Sequence, residues 1–537
     1  MNKKIIITLV VVLVLLIGCI LYLYKDKIMN ALSTNESTME VTDSDAIMVT
    51  TTSDTEMDSD IDWSKYSTTN VTLDGDYTIT SGGIYSFTGS TSDGSIIVNT
   101  TDNVKIILNG VEITSSDSPA INVVTAKNVY IELNGTNTLS STTTSELDGC
   151  IYSKDDLLIY GDGTLNINSN YDGIVSTDDL VIKSGTYNIK SSDDGIRGKD
   201  SVTIYGGTFT INASGDGIKT TNEKEKGSIT IKGGTFTINA VNDGIQSSST
   251  INISDGKFTI KTSSTSSTES AKGIKATGDL QISGGTYNLT TTDDSIHSNG
   301  SVSITGGTFT ISSGDDGIHA DSTVIIDDGT ITITKSYEGI EGAYITINGG
   351  TIKVTSSDDG INVSDGTSST GMGGNTSSSS IYLKITGGNI YVNATGDGLD
   401  ANGSIYITGG TVYVDGPTAN NNAAIDYDSK FEITGGTVIA VGYSGMAENA
   451  TSATQATVLI NLSTAYSKAF TFGGITYTPS KSYNSVFISS SELSVGSSYS
   501  LTIGGSTVST VSLSSTITSS GTSSGMGGAP SNGGGRR

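Results

Sequence analysis

Two cysteines, two histidines and three arginines are spread over 537 residues. So few sulfur and imidazole groups leave no Cys or His cluster of the kind that zinc requires. The arginines are Arg197, Arg536 and Arg537, and lysine and arginine together number 28 against 55 acidic residues, a formal net charge of −27. Nucleic acid, whose phosphates need basic patches, is thereby excluded as a partner. Cations or cationic surfaces suit the chain better. A single globular core does not keep growing over this length, whereas a solenoid escapes that limit because each coil needs only its neighbours.

What is present is a repeat. The run DDGIRGKDSVTIYGGTFTINAS, Asp193 to Ser214, is rewritten through the middle of the chain. Gly173, Gly195 and Gly217 are 22 positions apart, as are Gly317 and Gly339, and wider spacings coincide with polar insertions such as NEKEKG and SSTSSTES. Within GGTFTIN, Phe209 and Ile211 fall on one face of a strand and Thr208 and Thr210 on the other. Each unit has three short apolar runs separated by glycine-rich turns. This predicts an all-β fold, a three-sided parallel β-helix of about 22 residues per coil, right-handed by the usual sense of parallel crossovers. The residue after GGT or its equivalent reads Leu165, Tyr187, Phe209, Phe236, Phe258, Tyr287, Phe309, Ile331, Ile352, Ile390, Val412 and Val438. Stacked about 4.8 Å apart, these fill the core and are not a sugar-stacking platform.

The ends differ from the middle. Lys3 and Lys4 precede an apolar run that continues to Tyr24. Its length suits an uncleaved membrane anchor, while Leu16-Ile17-Gly18-Cys19 resembles a lipoprotein signal box with a lipid on Cys19; both readings put the repeats on the extracellular face of the membrane. The expected organisation is anchor or signal at 1–24, disordered Ser/Thr/Asp-rich spacer at 25–62, β-helix at 63–450, small β cap at 451–519 and a flexible Gly/Ser-rich tail at 520–537. Trp63 is expected to close the first coil, Ser364–Ser380 to be a surface loop, and Cys150 to take the buried place that Ile174 holds in the next unit.

Aligned on Asp-Gly-Ile, the residue before glycine, or before Ser295 in one unit, reads Asp148, Asp172, Asp194, Asp216, Asp243, Lys272, Asp294, Asp316, Glu338, Asp359 and Asp397. Asp193, Asp293, Asp315 and Asp358 double it. Aspartate is a turn former that bonds its own backbone two residues on, which accounts for one carboxylate per turn. It accounts poorly for the second, because carboxylates about 4.8 Å apart repel. All-oxygen donors suit calcium, and the candidate ligands are Asp172, Asp193, Asp194, Asp216, Asp243, Asp293, Asp294, Asp315, Asp316, Asp358 and Asp359.

The position after the isoleucine reads Ile151, Val175, Arg197, Lys219, Gln246, Lys275, His297, His319, Glu341, Asn362 and Asp400. If the isoleucines point inward, these point outward. Arg197, Lys199, Lys219, Lys275, His297 and His319 are the candidate carbohydrate contacts, a line of donors for a polymer bearing carboxylates, and Arg197 and Lys219 are expected to be removable without loss of fold. A solvated face of mixed charge is the alternative.

The runs YSKDDLLIYGDGTLNI, DDGIRGKDSVTIYGGTFTI and YTPSKSYNSVFISSSELSVGSSYSLTIGG resemble a bacterial, notably clostridial, extracellular carbohydrate-binding family, over most of Val71 to Gly505. That resemblance implies a pectate-lyase-like right-handed parallel β-helix, calcium held by Asp193, Asp194, Asp216 and their neighbours, and binding of cellulose or acidic sugars such as polygalacturonate. The leading expectation is a non-catalytic, calcium-dependent, monomeric surface protein for plant cell-wall or acidic polysaccharide. A calcium-dependent pectate-type lyase, with Arg197, Lys199 or Lys219 as base, and a structural adhesin are the alternatives.

Overall fold

The structure, a computed structural model, describes residues 61–143, 146–222, 226–266, 268–365 and 380–523. The expected anchor with Cys19, the spacer up to Asp60, residues 366–379 of the insertion and residues 524–537 of the tail lie outside the described residues.

One coil of the repeat consists of three strands, Ile196–Gly198, Ser201–Ile204 and Thr208–Ala213. Each lies parallel to its equivalents one coil away: Ile196 pairs with Ile174 and Ile218, Val202 with Leu180 and Ile229, and Phe209 with Tyr187 and Phe236. The same pairing runs from the strand Thr68–Leu73 to Ser452–Ala453, giving an all-β, solenoid-like parallel sheet. The early strands without Asp-Gly-Ile join it too, since Tyr77 pairs with Ile96, Ile96 with Ile121 and Ile121 with Ile151.

Alternation decides which side chains go in. In Thr208–Ala213, Phe209, Ile211 and Ala213 are buried while Thr208 and Asn212 are exposed. Because the coils are in register, like residues meet. The rings of Tyr187, Phe209, Phe236, Phe258, Tyr287 and Phe309 form an internal pile with centroids 4.5–4.8 Å apart and planes within 5° of parallel. Each contact of this sort contributes about 0.5–1.5 kcal/mol beyond the area it buries. The aliphatic continuation from Ile331 to Val438 is equally buried.

The glycine of Asp-Gly-Ile is fixed by the next coil. A Cβ on Gly195 would lie 2.5 Å from the carbonyl oxygen of Gly217 and 2.4 Å from Ile211 Cγ2. Two expectations are corrected at the N-terminal end. Cys150 is buried, but Ile151 pairs with Ile174 and Tyr152 with Val175. The Asp148 unit therefore carries one extra residue, and Tyr152, not Ile151, stands in the outward column. Trp63 does not close a coil end. It packs edge-on against Tyr130, ring centroids 5.3 Å apart, in an apolar cluster with Leu158 and Val181 on the outer face of the second strands.

Antiparallel pairing enters at Thr437–Gly442, which pairs antiparallel with Tyr483–Ser489. That strand pairs antiparallel with Thr457–Tyr466, and a separate four-stranded antiparallel sheet includes Phe470–Phe472 and Ser498–Ile503. Its side chains share a second core with Ile439 and Val441. Tyr477 and Tyr391 hydroxyls and the Ser480 N–H all donate to the buried Asp415 carboxylate, tying this region to the repeats.

Candidate functional site

The aspartate column lies at the corner where one coil's third strand ends and the next coil's first strand begins. A chain turning a corner leaves an N–H out of the strand ladder, and a buried N–H has to find an acceptor. Here the acceptor is the aspartate one coil earlier. Asp172 Oδ1 accepts from Asp194 N at 2.8 Å, Asp194 Oδ1 from Asp216 N at 2.8 Å, Asp216 Oδ1 from Asp243 N at 2.8 Å and Asp243 Oδ1 from Lys272 N at 2.7 Å. After the break at Lys272, Asp294 Oδ1 accepts from Asp316 N, Asp316 Oδ1 from Glu338 N, Asp359 Oδ1 from Asp397 N and Asp397 Oδ1 from Ala423 N. These aspartates thus cap the neighbouring coil, where turn chemistry alone predicted bonds to their own backbone.

The second oxygen of Asp172, Asp194, Asp216, Asp243, Asp294 and Asp316 faces the column after the isoleucine. Arg197 reaches Asp172 Oδ2 through Nε at 2.6 Å and Asp148 Oδ2 through Nη2 at 2.5 Å. Lys219 Nζ sits 2.7 Å from Asp216 Oδ2 and 3.4 Å from Asp194 Oδ2, and Lys275 Nζ is 3.5 Å from Asp243 Oδ2. Lys272, the exception in the acidic column, bridges Asp293 and Asp294 at 2.8 and 2.7 Å. His297 Nδ1 is 2.9 Å from Asp294 Oδ2, and His319 Nδ1 is 3.0 Å from both Asp316 Oδ2 and Glu341 Oε2. The basic line therefore leaves the sheet outward but lies across the carboxylates; the Arg197 side chain is only 21% exposed. Arg197 and Lys219 are thus paired with buried carboxylates of the ladder, which bears directly on the expectation that they can be replaced with folding intact. Lys199 stands apart, exposed in the turn after the first strand.

Burial raises most of the column. Among the earlier coils it lifts Asp172 to about 7 and Asp194 to about 6, although Arg197 and Lys219 pull them down. At Asp294 burial is outweighed by the His297 hydrogen bond and by Lys272, and its carboxyl sits well below the ordinary range. Burial likewise opposes the charge on Arg197, but Asp172 and Asp148 raise it. In the later coils the column continues as Glu341, Asn362, Asp400 and Asp426, which pair in register. There burial and neighbouring carboxylates act together: Asp400 is pushed up to about 8, Asp397 to about 7 and Asp359 to about 6. Asn362, 7% exposed, donates through Nδ2 to Glu338 Oε2 at 2.6 Å, and its buried Oδ1 has no hydrogen-bond partner.

The doubled aspartates extend this corner outward. Carboxylate oxygens of Asp172, Asp193 and Asp194 lie within 4.8 Å of one another, as do those of Asp293, Asp294 and Asp315. A Cβ on Gly215 would sit 2.5 Å from Asp193 Oδ1 and 2.6 Å from Asp194 Oδ1, so the glycine makes room for the pair. Asp358 and Asp359 crowd Gly396 in the same way.

Sequence alignment on Asp-Gly-Ile missed Asp426, because Ala424 replaces the glycine; the Ile425 that follows was the usable signal. It also missed Asp156, Asp178 and Asp179, a carboxylate cluster at a different corner. Scarcity of histidine suggested no nitrogen-ligand cluster, and that is corrected too: the repeat brings both histidines together, ring centroids 4.9 Å apart.

The family described as carbohydrate-binding domain-containing protein matches residues 73–317 and 315–533 of this chain. A curated relative from Acetivibrio thermocellus, described in the same words, is 36% identical over 117 residues, which are 19% of this chain and 41% of the relative. The chain thus spans about two fifths of that relative's length. A solved structure, titled as the polysaccharide lyase-like protein from C. thermocellum in a gadolinium derivative, is 33% identical, with a TM-score of 0.34 over 36% of this chain and 90% of the other. The chain belongs to the carbohydrate-binding domain-containing family.

Proposed function

We propose that this member of the carbohydrate-binding domain-containing family binds an acidic polysaccharide of the polygalacturonate class along its outward column, with calcium and without cleaving it. One observation carries the reading: the column changes sign along the stack, from Arg197, Lys219 and Lys275 to Glu341, Asn362, Asp400 and Asp426. A uronate chain laid across the coils meets ammonium and guanidinium donors first. Arg197 directs Nε and Nη2 at Asp172 and Asp148 and has further N–H donors for a carboxylate.

Farther along, a chain of net charge −27 repels an anionic polymer unless a cation intervenes. The residues fit calcium there. Donors at Asp358, Asp359, Asn362, Asp397 and Asp400 are all oxygen, and the Asn362 Oδ1 is a buried acceptor with no donor. Bound calcium supplies the charge that these carboxylates lack and an open coordination position for a uronate oxygen.

Elimination needs a base that gives up its own proton first. Burial works toward that at Arg197 and Lys219, yet their paired carboxylates outweigh it and hold both cationic, which supports binding over lyase chemistry. In this reading the coils wind right-handed, residues 63–450 are the binding solenoid, 451–519 close its end, and residues 1–24 tether the monomer to the outer face of the membrane.

Isothermal titration against polygalacturonate and cellulose oligomers, with calcium and with EDTA, tests the proposal. Saturable polygalacturonate binding that EDTA abolishes is expected, with no ultraviolet-absorbing unsaturated product. Chelator-independent binding removes calcium from the reading, product formation replaces it by the lyase, and binding to neither glycan defeats it.

A further inference from the structure

The chain's two histidines occupy successive positions of one column. We infer that His297 and His319 form a site for a divalent transition-metal ion of the zinc, cobalt and nickel class, distinct from the calcium proposed at Asp359 and Asp400. Their rings are tilted by 35° at a centroid separation of 4.9 Å. Each Nδ1 is held by a carboxylate, His297 by Asp294 at 2.9 Å and His319 by Asp316 and Glu341 at 3.0 Å. Metal-binding histidines are oriented in this manner, with one ring nitrogen on a carboxylate and the other turned to the ion.

That leaves the two Nε2 atoms as ligands. His319 Nε2 already lies 3.3 Å from Asp321 Oδ1, and the other oxygen of Asp321 is fixed by Asn299 Nδ2 at 2.9 Å. A third ligand is therefore held beside the ring. The group opens into a cavity of about 370 Å³ that is also lined by Lys272, Asp315, Tyr337 and Glu338, with space for coordinated water. Six carboxylates, Asp294, Asp315, Asp316, Asp321, Glu338 and Glu341, border it against the single lysine. A bound dication offsets part of that excess of negative charge.

Ligand type sets the class. Imidazole nitrogen with carboxylate oxygen suits zinc, cobalt, nickel or copper, while calcium takes oxygen alone. The calcium proposed above lies with Asp359 and Asp400, which border other coils.

Cobalt(II) titration of the purified full chain in excess calcium, followed by visible absorption, provides the test. One equivalent is expected to bind with d–d bands. His297→Gln and His319→Gln are each expected to weaken it more than tenfold, and Asp321→Asn by a smaller factor. Absence of saturable cobalt binding by the wild type, or unchanged binding by the double Gln variant, overturns the site. If the variants do not fold, zinc titration of the wild type decides by nuclear magnetic resonance, since the chain has only two imidazoles to observe. Both rings shifting at one equivalent supports the site, and neither shifting refutes it. Sugar affinity is not read in any arm, so the carbohydrate reading can fail without touching this result.

Discussion

The carboxylate of Asp194 accepts the main-chain N–H of Asp216, one coil later, at 2.8 Å. Through this bond the aspartate that marks each repeat in sequence becomes a fastening between repeats. It also places the other carboxylate oxygen under Lys219, so a structural device and the candidate binding column share the same atoms.

Replacing Asp194 by alanine orphans that N–H inside the corner, which costs about 1–3 kcal/mol. Asp194→Asn keeps an acceptor oxygen and is expected to cost less than half as much. Urea unfolding of both variants checks this, and equal losses would show that the charge, not the acceptor, matters.

Arg197→Ala is expected to destabilise by about 3–5 kcal/mol, since it leaves the buried Asp172 carboxylate without its ion partner. Lys199→Ala, in an exposed turn, is expected to stay within about 0.5 kcal/mol of the wild type. The pair of melting curves separates ladder residues from surface lysines, and a loss of binding in Arg197→Ala is interpretable only alongside them.

Gly396→Ala places a methyl group against the Asp358 and Asp359 oxygens. The carboxylate pair must move apart, so the rise in melting temperature on adding calcium is expected to shrink. A calcium response identical to that of the wild type would remove Asp358 and Asp359 as ligands.

The raised carboxyls of the column, Asp172 and Asp194 as well as those of the later coils, predict a pH dependence. Asp400, Asp397 and Glu338 are pushed up to about 8, 7 and 8 by burial and then by neighbouring carboxylates. Folded protein therefore binds more protons than unfolded chain between about pH 4 and pH 8, and stability falls as pH rises through that window. His319, with its pKa raised to about 11, acts in the same direction above about pH 6.5. Calorimetry in EDTA is expected to show a lower melting temperature at pH 8 than at pH 5, and calcium is expected to flatten the slope. A melting temperature that rises with pH in EDTA contradicts the assignment.

Much of the coil was legible because its alternation has a period of two and its unit a period of 22. Phe209 and Ile211 could be assigned to the core from GGTFTIN alone. The Asp194 column and the Arg197 column were legible for the same reason. Their contacts were not, since a bond from Asp172 to Asp194 depends on how far the corner lets one coil settle on the next. Local exceptions were also hidden: the extra residue beside Cys150 shifts the register by one, and nothing around Trp63 in sequence shows that Tyr130, Leu158 and Val181 form an apolar outer patch. His297 and His319 looked like two isolated residues until the repeat superposed them.

The aspartate bond, the strand pairing and the ring pile each fasten a coil to the coils on either side. Length is therefore a free variable of this architecture. Splicing in a copy of Asp194 to Gly215 would add one more rung that its neighbours already fit, and deleting it would bring matching surfaces together. Such a chain can lengthen or shorten in whole-coil steps, as a ruler gains or loses graduations, the core pairing repeating unchanged while the ion pairs of the outer column are redrawn.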